Sequence, residues 1–204
     1  MATAVTGRDR AKAERNRSLV AAATRLFAER GFSGVSLEEL GAAVGVSGPA
    51  VYRHFANKQA LLADILIGVS ERLLAGGTEV VVSTDGSPEP SQALDALDAL
   101  VRFHVDFALA DADVIRVQDR DLASLTSDDR HRVRELQRAY VDVWTAALAR
   151  IHPDRANDEL RMRALACIAL INSTPHSVRA IRETTDETVL HAVLYDMARA
   201  ALRV

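Results

Sequence analysis

The chain has 204 residues, 49% of them hydrophobic but only 4% aromatic, so it is long enough for a real core in one or two domains, and its aliphatic, alanine-rich balance suits helix packed on helix. Its net charge of −3, taken whole, argues against a nucleic-acid partner. No run approaches the roughly 18 apolar residues of a membrane span, and the polar, basic start lacks the apolar segment of a secretory signal, so a cytoplasmic protein with no membrane partner is expected.

Residues 1–8 are small and polar without pattern and read as a disordered arm. The first helix is predicted from about Asp9 to Arg30, with Leu19, Val20, Ala23, Leu26 and Phe27 as its inner stripe. Gly31 ends it and Phe32 packs beneath. Arg15 and Arg17, near its start, either face phosphates or form a solvated charged face.

The stretch Ser36 to Lys58 carries the sharpest signal. Ser36 followed by Glu39 is a capping box, and Leu37, Leu40 and Val44 make one apolar face. Gly45 is the residue type that ends a helix in the left-handed conformation. Val46 plugs the turn, Ser47 can cap a second helix, and Pro49 sits in its first turn, where the missing N–H is harmless. Val51 and Phe55 then face inward. Gly41 falls where the two helices cross closely. Together these features describe a helix-turn-helix, whose second helix enters the DNA major groove by its N-terminal residues. The charge distribution agrees: residues 1–60 hold nine Lys or Arg against five acids, whereas the remainder holds sixteen against twenty-three. A basic head on an acidic body is the footprint of a DNA-binding module joined to a different second domain.

The run Gly48-Pro-Ala-Val-Tyr-Arg-His-Phe55, followed by Asn57-Lys58 and Leu61-Leu62, resembles the TetR family of bacterial transcriptional regulators, over about Arg15 to Leu62. Gly41 departs from the family, which more often carries Ala there, and Pro49 and Ala50 are less usual in the reading helix. The resemblance implies an all-α, homodimeric protein: a three-helix DNA-binding domain over residues 1–57, and an effector-binding and dimerisation bundle over residues 58–204, about nine helices in all. The DNA-binding candidates are Ser47, Gly48, Pro49, Ala50, Tyr52, Arg53, His54 and Lys58. Helical spacing turns Ala50, Arg53 and His54 outward, with Tyr52 at the margin. Arg53 can make a bidentate contact to guanine or a contact to phosphate, and Gly48 and Ala50 allow close approach to a thymine methyl. The resemblance assigns Tyr52, His54 and Lys58 to phosphates.

Asn57 caps a helix expected from about Lys58 to Val81, with Leu61, Leu62, Ile65, Leu66 and Val69 inward. It starts at the DNA surface and runs into the second domain, and the resemblance makes it the lever between them. Thr84 to Ser91 is turn-rich and reads as a loop. Helices are expected from about Ser91 to Ala110, from Thr126 or Ser127 to about Ile151 (stopped by Pro153), and from about Asn157 to Arg182 with a kink at Pro175. Between the first two of these, Asp111 to Leu125 reads as a short irregular helix and turn. A capping box of Thr184 and Glu187 opens the last helix. Cys167, the only cysteine, lies in the apolar run 164–170, so a buried structural thiol is expected and no intrachain disulfide is possible.

Phe103, His104, Phe107, Tyr140, Trp144, Asn172 and His176 are large or polar residues on otherwise aliphatic inner faces. Such a mixture suits either a mostly apolar ligand site or an ordinary core with satisfied partners. A hydrophobic effector is expected, and the resemblance faintly suggests a fatty acyl or acyl-CoA ligand. The last two helices carry more small and aliphatic residues than one core face needs; by resemblance they form a four-helix dimer interface, with Ile181, Leu190, Leu194, Met197 and Ala201 as candidates. No glycine-rich phosphate loop and no metal-spaced cluster of His, Cys or Asp occurs, so no enzyme, metal or cofactor is expected. The resulting expectation is a regulator, repressor by type, that leaves a palindromic DNA operator when a hydrophobic effector binds. The alternative is a helical ligand-binding or interaction protein whose helix-turn-helix no longer reads DNA.

Overall fold

The computed structural model describes residues 7–84, 90–173 and 186–203. The arm at residues 1–6, Pro175, His176, Ile181 and Thr184 lie outside them. Among the described residues are nine α-helices and no strand: α1 (Gly7–Arg30), α2 (Leu37–Ala43), α3 (Gly48–Val51), α4 (Lys58–Thr84), α5 (Pro90–Ala110), α6 (Ala112–Asp121), α7 (Ser127–Ile151), α8 (Asn157–Asn172) and α9 (Glu187–Leu202). A short 3₁₀ turn, Leu122–Ser124, links α6 to α7.

The helix starts follow from local chemistry. Ser36 Oγ accepts from the Glu39 N–H at 3.2 Å while Glu39 Oε2 accepts from the Ser36 N–H at 2.8 Å, which completes the capping box of α2. Asn57 Oδ1 accepts from the Ala60 N–H at 2.7 Å and opens α4. Thr126 Oγ1 accepts from the Asp129 N–H at 3.2 Å and opens α7. For α9 the observed cap is Asp186, which accepts from the Thr188 N–H at 2.9 Å. That bond holds the Asp186 carboxyl below the usual carboxylate range. The capping box predicted for Thr184 and Glu187 lies partly outside the described residues, since Thr184 is not among them.

Helix α3 is shorter than its apolar spacing suggests. Gly48 and Pro49 occupy its first two positions, and after Val51 the bonds shift to the tighter pattern, with the Arg53 N–H on Ala50 O at 3.3 Å and the His54 N–H on Val51 O at 2.9 Å. Val51 and Phe55 are nevertheless both buried, so the inward face survives the change of winding.

Two hydrophobic clusters fill the interior. The first gathers Leu19, Phe27, Leu40, Val51 and Phe55 with Leu61, Leu62, Ile65 and Leu66 of α4, and reaches Val114, Val117 and Val133. The second gathers Leu97, Leu100, Val105, Trp144, Leu148, Leu160 and Ile171 with Leu194, Ala198 and Leu202. The core of the helix-turn-helix head therefore extends past residue 57 and is closed by α4, α6 and α7.

The α2–α3 turn depends on two glycines. Gly45 has φ 71°, a conformation that costs an L-residue roughly 1–2 kcal/mol. At Gly41 an added Cβ would lie 2.7 Å from Val46 O, so the crossing is shaped to a residue without a side chain. Gly45→Ala is expected to lower the unfolding free energy by about 1 kcal/mol, read from urea denaturation; an unchanged midpoint would contradict this account of the turn.

Candidate functional site

The described structure brings two groups of candidate residues together, at opposite ends of α4. The first is the outer face of the head. Ser47, Pro49, Tyr52 and Arg53 are exposed, while Gly48, Ala50 and His54 are half-buried. Tyr52 is 53% exposed, a large aromatic ring left in water next to the exposed Arg53. Arg53 has no ion pair among the described residues. His54 Nδ1 is buried without a hydrogen-bond partner. Val51 and Phe55 hold this face from behind, and Gly48 packs against Glu38 of α2.

Lys58 has contacts within the head that its sequence position does not reveal. Its Nζ donates to Phe32 O at 2.7 Å and Val35 O at 2.8 Å and lies 4.5 Å from the centre of the Phe32 ring. The carbonyls of the loop after α1 have no helical partner, and a cation on the next element satisfies two of them at once. The Lys58 ammonium is thus held by two loop carbonyls and the Phe32 ring, and it lines one surface hollow with Tyr52 and Asn57.

The second group is a buried aromatic cluster. His104 on α5 has ring centres at 5.7 Å from Phe107, 5.6 Å from Tyr140 and 5.8 Å from Trp144. Its two ring nitrogens lie 3.1 Å from Tyr140 Oη and 3.2 Å from Asn172 Oδ1. Asn172 Oδ1 can only accept a hydrogen bond, so Nε2 carries the hydrogen and donates it, and Nδ1 accepts from the Tyr140 hydroxyl. Burial lowers the His104 pKa from 6.5 to about 4, against the bond to Asn172, which acts the other way. Burial likewise pushes the Tyr140 phenol upward. Trp144 is fully buried, yet its Nε1 has no hydrogen-bond partner. The cluster is mostly apolar, with one histidine, one phenol, one amide and one unpaired indole N–H converging on it.

The residues that the sequence reading did not single out here are Gly76 and Gly77 of α4. A Cβ at Gly76 would collide with the Phe103 ring, and one at Gly77 would come within 2.5 Å of Tyr140 Cε2. The signal was present as two adjacent glycines inside a long helix, where each costs roughly 1 kcal/mol relative to alanine unless packing requires it.

The dimer candidates separate by burial. Leu194 sits in the second cluster with Ala198 and Leu202, so its side chain is engaged within the protomer, and Leu190 is half-buried. Met197 and Ala201 are exposed. Exposed beside them are Val189 and Val193 of α9 and, on the adjoining α8, Met162 and Leu165. Cys167 is buried against Ala198 O, and burial pushes its thiol up to about 12. Among the described residues no group of three or more His, Cys, Asp or Glu could hold a metal, and no helix is long and apolar enough to cross a membrane.

A helix-turn-helix head set on a helical bundle defines the class: a DNA-binding regulator with a separate second module. The description "Bacterial regulatory proteins, tetR family" matches residues 19–65, and "Tetracyclin repressor-like, C-terminal domain" matches residues 90–176. The chain belongs to the TetR family of bacterial transcriptional regulators. It is 26% identical over 141 residues to the HTH-type transcriptional repressor KstR2 of Rhodococcus jostii (strain RHA1), a match spanning 67% of this chain and 65% of that protein. It shares its fold with a tetR-family regulatory protein from Rhodococcus RHA1, at TM-score 0.76 and 22% identity over 92% of this chain and 96% of the other. It also shares its fold with AibR, solved in complex with isovaleryl coenzyme A and operator DNA, at TM-score 0.72 and 19% identity over 93% of this chain and 98% of AibR.

The neutral state of His104 has a consequence for stability. The unfolded chain takes up its proton near 6.5, whereas the folded chain does so only near 4, so between these values the unfolded state holds more protons. Stability therefore falls as pH drops through this window, by up to about 1.4 kcal/mol per unit. Urea denaturation at pH 7, 6 and 5 is expected to show this slope, and His104→Gln to reduce it.

Proposed function

We propose that this regulator is a ligand-responsive repressor that binds a palindromic DNA operator as a homodimer and leaves it when a hydrophobic small molecule binds the bundle. The observation that carries this reading is the exposed face from Ser47 to Arg53, basic and aromatic, held rigid by Val51 and Phe55 beneath it. Arg53 acts as the base-reading or phosphate-binding cation. Tyr52 and His54 contact backbone phosphates, and Gly48, Pro49 and Ala50 allow close approach. Lys58 serves by closing the loop behind this face, given its two carbonyl partners. Residues 1–57 act as the DNA-binding domain and 58–204 as the effector and dimerisation domain, with the first helical turns of α4 shared.

The effector site is proposed at the cluster of Phe103, His104, Phe107, Tyr140, Trp144 and Asn172. Apolar rings with a few convergent polar groups suit a ligand with a hydrophobic body and one polar end. An acyl-CoA is the first class to test, in view of the ligand named for AibR. Binding there shifts α4 and separates the two reading helices, which requires an effector that prefers the released form. Dimerisation is proposed through the exposed stripe of Met162, Leu165, Val189, Val193 and Met197, whose burial against a second copy removes apolar surface from water.

Two measurements test this. Arg53→Ala is expected to weaken binding to a selected operator duplex by about 1–3 kcal/mol; wild-type affinity that ignores sequence and stays flat with salt would instead favour a helical binding protein that does not read DNA. Val193→Asp is expected to shift the protein from dimer to monomer in sedimentation equilibrium, and an unchanged dimer would remove this face as the interface.

A further inference from the structure

We infer that Arg120 and Asp121, at the end of α6, are positioning residues that set the angle of the reading head on the bundle, and through it the half-site spacing the dimer accepts. This rests on the DNA-reading proposal above. The two adjacent side chains hold opposite sides of the turn that follows α1. The Arg120 guanidinium donates from Nη2 to Phe27 O and from Nη1 to Ala28 O at 3.4 Å, at the C-terminus of α1. Asp121 Oδ2 accepts from the Phe32 N–H at 3.2 Å, beyond the turn at Gly31. Arg120 Nε and Nη2 also reach Asp121 Oδ2 at 3.3 and 3.1 Å, so the two members orient each other. A cation at a helix C-terminus complements the helix dipole, and the rigid guanidinium fork fixes direction as well as distance.

Asp121 is only 6% exposed. A charge so placed contributes little net stability compared with an apolar residue of the same size, because desolvation offsets the attraction. What an apolar contact lacks is direction, and the Arg120–Asp121 pair supplies it at one point of the head. The same loop is held from α4 by Lys58, through Phe32 O and Val35 O, and Gln59 Nε2 ties the start of α4 to Ser124 O at 3.1 Å. The rest of α6 belongs to both interiors: Val114 and Val117 join the first cluster and Ile115 the second. Helix α5, which carries His104 and Phe107, ends at Ala110, and α6 begins at Ala112. A displacement at the aromatic cluster thus has a route to the head through α5 and α6 as well as through α4, on which both pack.

The test uses the full-length dimer and a duplex selected by the wild-type protein from a randomised pool. Affinity is measured on that duplex, on variants with half-sites one and two base pairs closer or farther apart, and on a single half-site. Arg120→Ala and Asp121→Leu are expected to retain half-site affinity while losing about tenfold of the discrimination between the preferred spacing and its neighbours. Asp121→Asn, whose amide oxygen still accepts from Phe32, is expected to keep most of that discrimination. Arg120→Lys serves should the larger changes prevent folding; its ammonium replaces a fork by a single point, and a severalfold loss of discrimination is expected. An unchanged spacing profile in folded Arg120→Ala or Arg120→Lys overturns the inference. Loss of half-site affinity in parallel with spacing preference also overturns it, since a damaged head would explain both. If the wild-type protein selects no sequence, the DNA-reading proposal itself falls, and this inference falls with it.

Discussion

Helix α4 has to satisfy two hydrophobic interiors at once, and most of the architecture depends on that requirement. Leu61, Leu62, Ile65, Leu66 and Val69 of its first half complete the core of the helix-turn-helix head. Leu73, Leu74, Val80 and Val81 of its second half pack against the bundle. A head with α2 of seven residues and α3 of four has too little apolar surface to hold itself together. Its interior is completed by residues of α4, α6 and α7, so head and bundle share one packed boundary.

Much of this was legible in the residues, for reasons that differ from element to element. Ser36 with Glu39, Gly45 and Asn57 act within a few residues of themselves, so their roles follow from spacing alone and the structure shows the same bonds. Val51 and Phe55 were readable as inward from their four-residue spacing, whereas Ser47, expected to cap α3, stands at its N-cap without a side-chain hydrogen bond, and Pro49 in the first turn leaves one fewer N–H to satisfy. Other contacts are long-range and leave no periodic trace. Lys58 is a helix-start lysine in the sequence, and only the fold brings the carbonyls of Phe32 and Val35 to it. Arg120 and Asp121 look like two more charges in a charged segment until α1 is seen ending against them. For α9, periodicity finds an apolar helix but cannot tell which side is covered by its own chain. Leu194, Ala198 and Leu202 turned out to be inside, with Val189, Val193 and Met197 outside.

The aromatic cluster shows the same division. Each member was visible as an odd residue on an aliphatic face, but their convergence on His104 was not. That convergence has an electrostatic result: a histidine kept neutral by burial, with both ring nitrogens engaged and an indole N–H left unpaired beside it. The Tyr140 phenol neighbours that indole, its ring centre 6.3 Å from the Trp144 ring.

Helices ordinarily lock together by setting rows of side chains into grooves, and that interlocking gives a packed pair a discrete register. At Gly76 and Gly77, α4 has no side chain to offer. Ring-edge atoms of Phe103 and Tyr140 occupy the space that side chains at these positions would fill. In its second half the longest helix among the described residues therefore meets α5 and α7 at two positions with no side chain of its own to set a register, between flanking positions (Leu73, Leu74, Val80 and Val81) that do interlock.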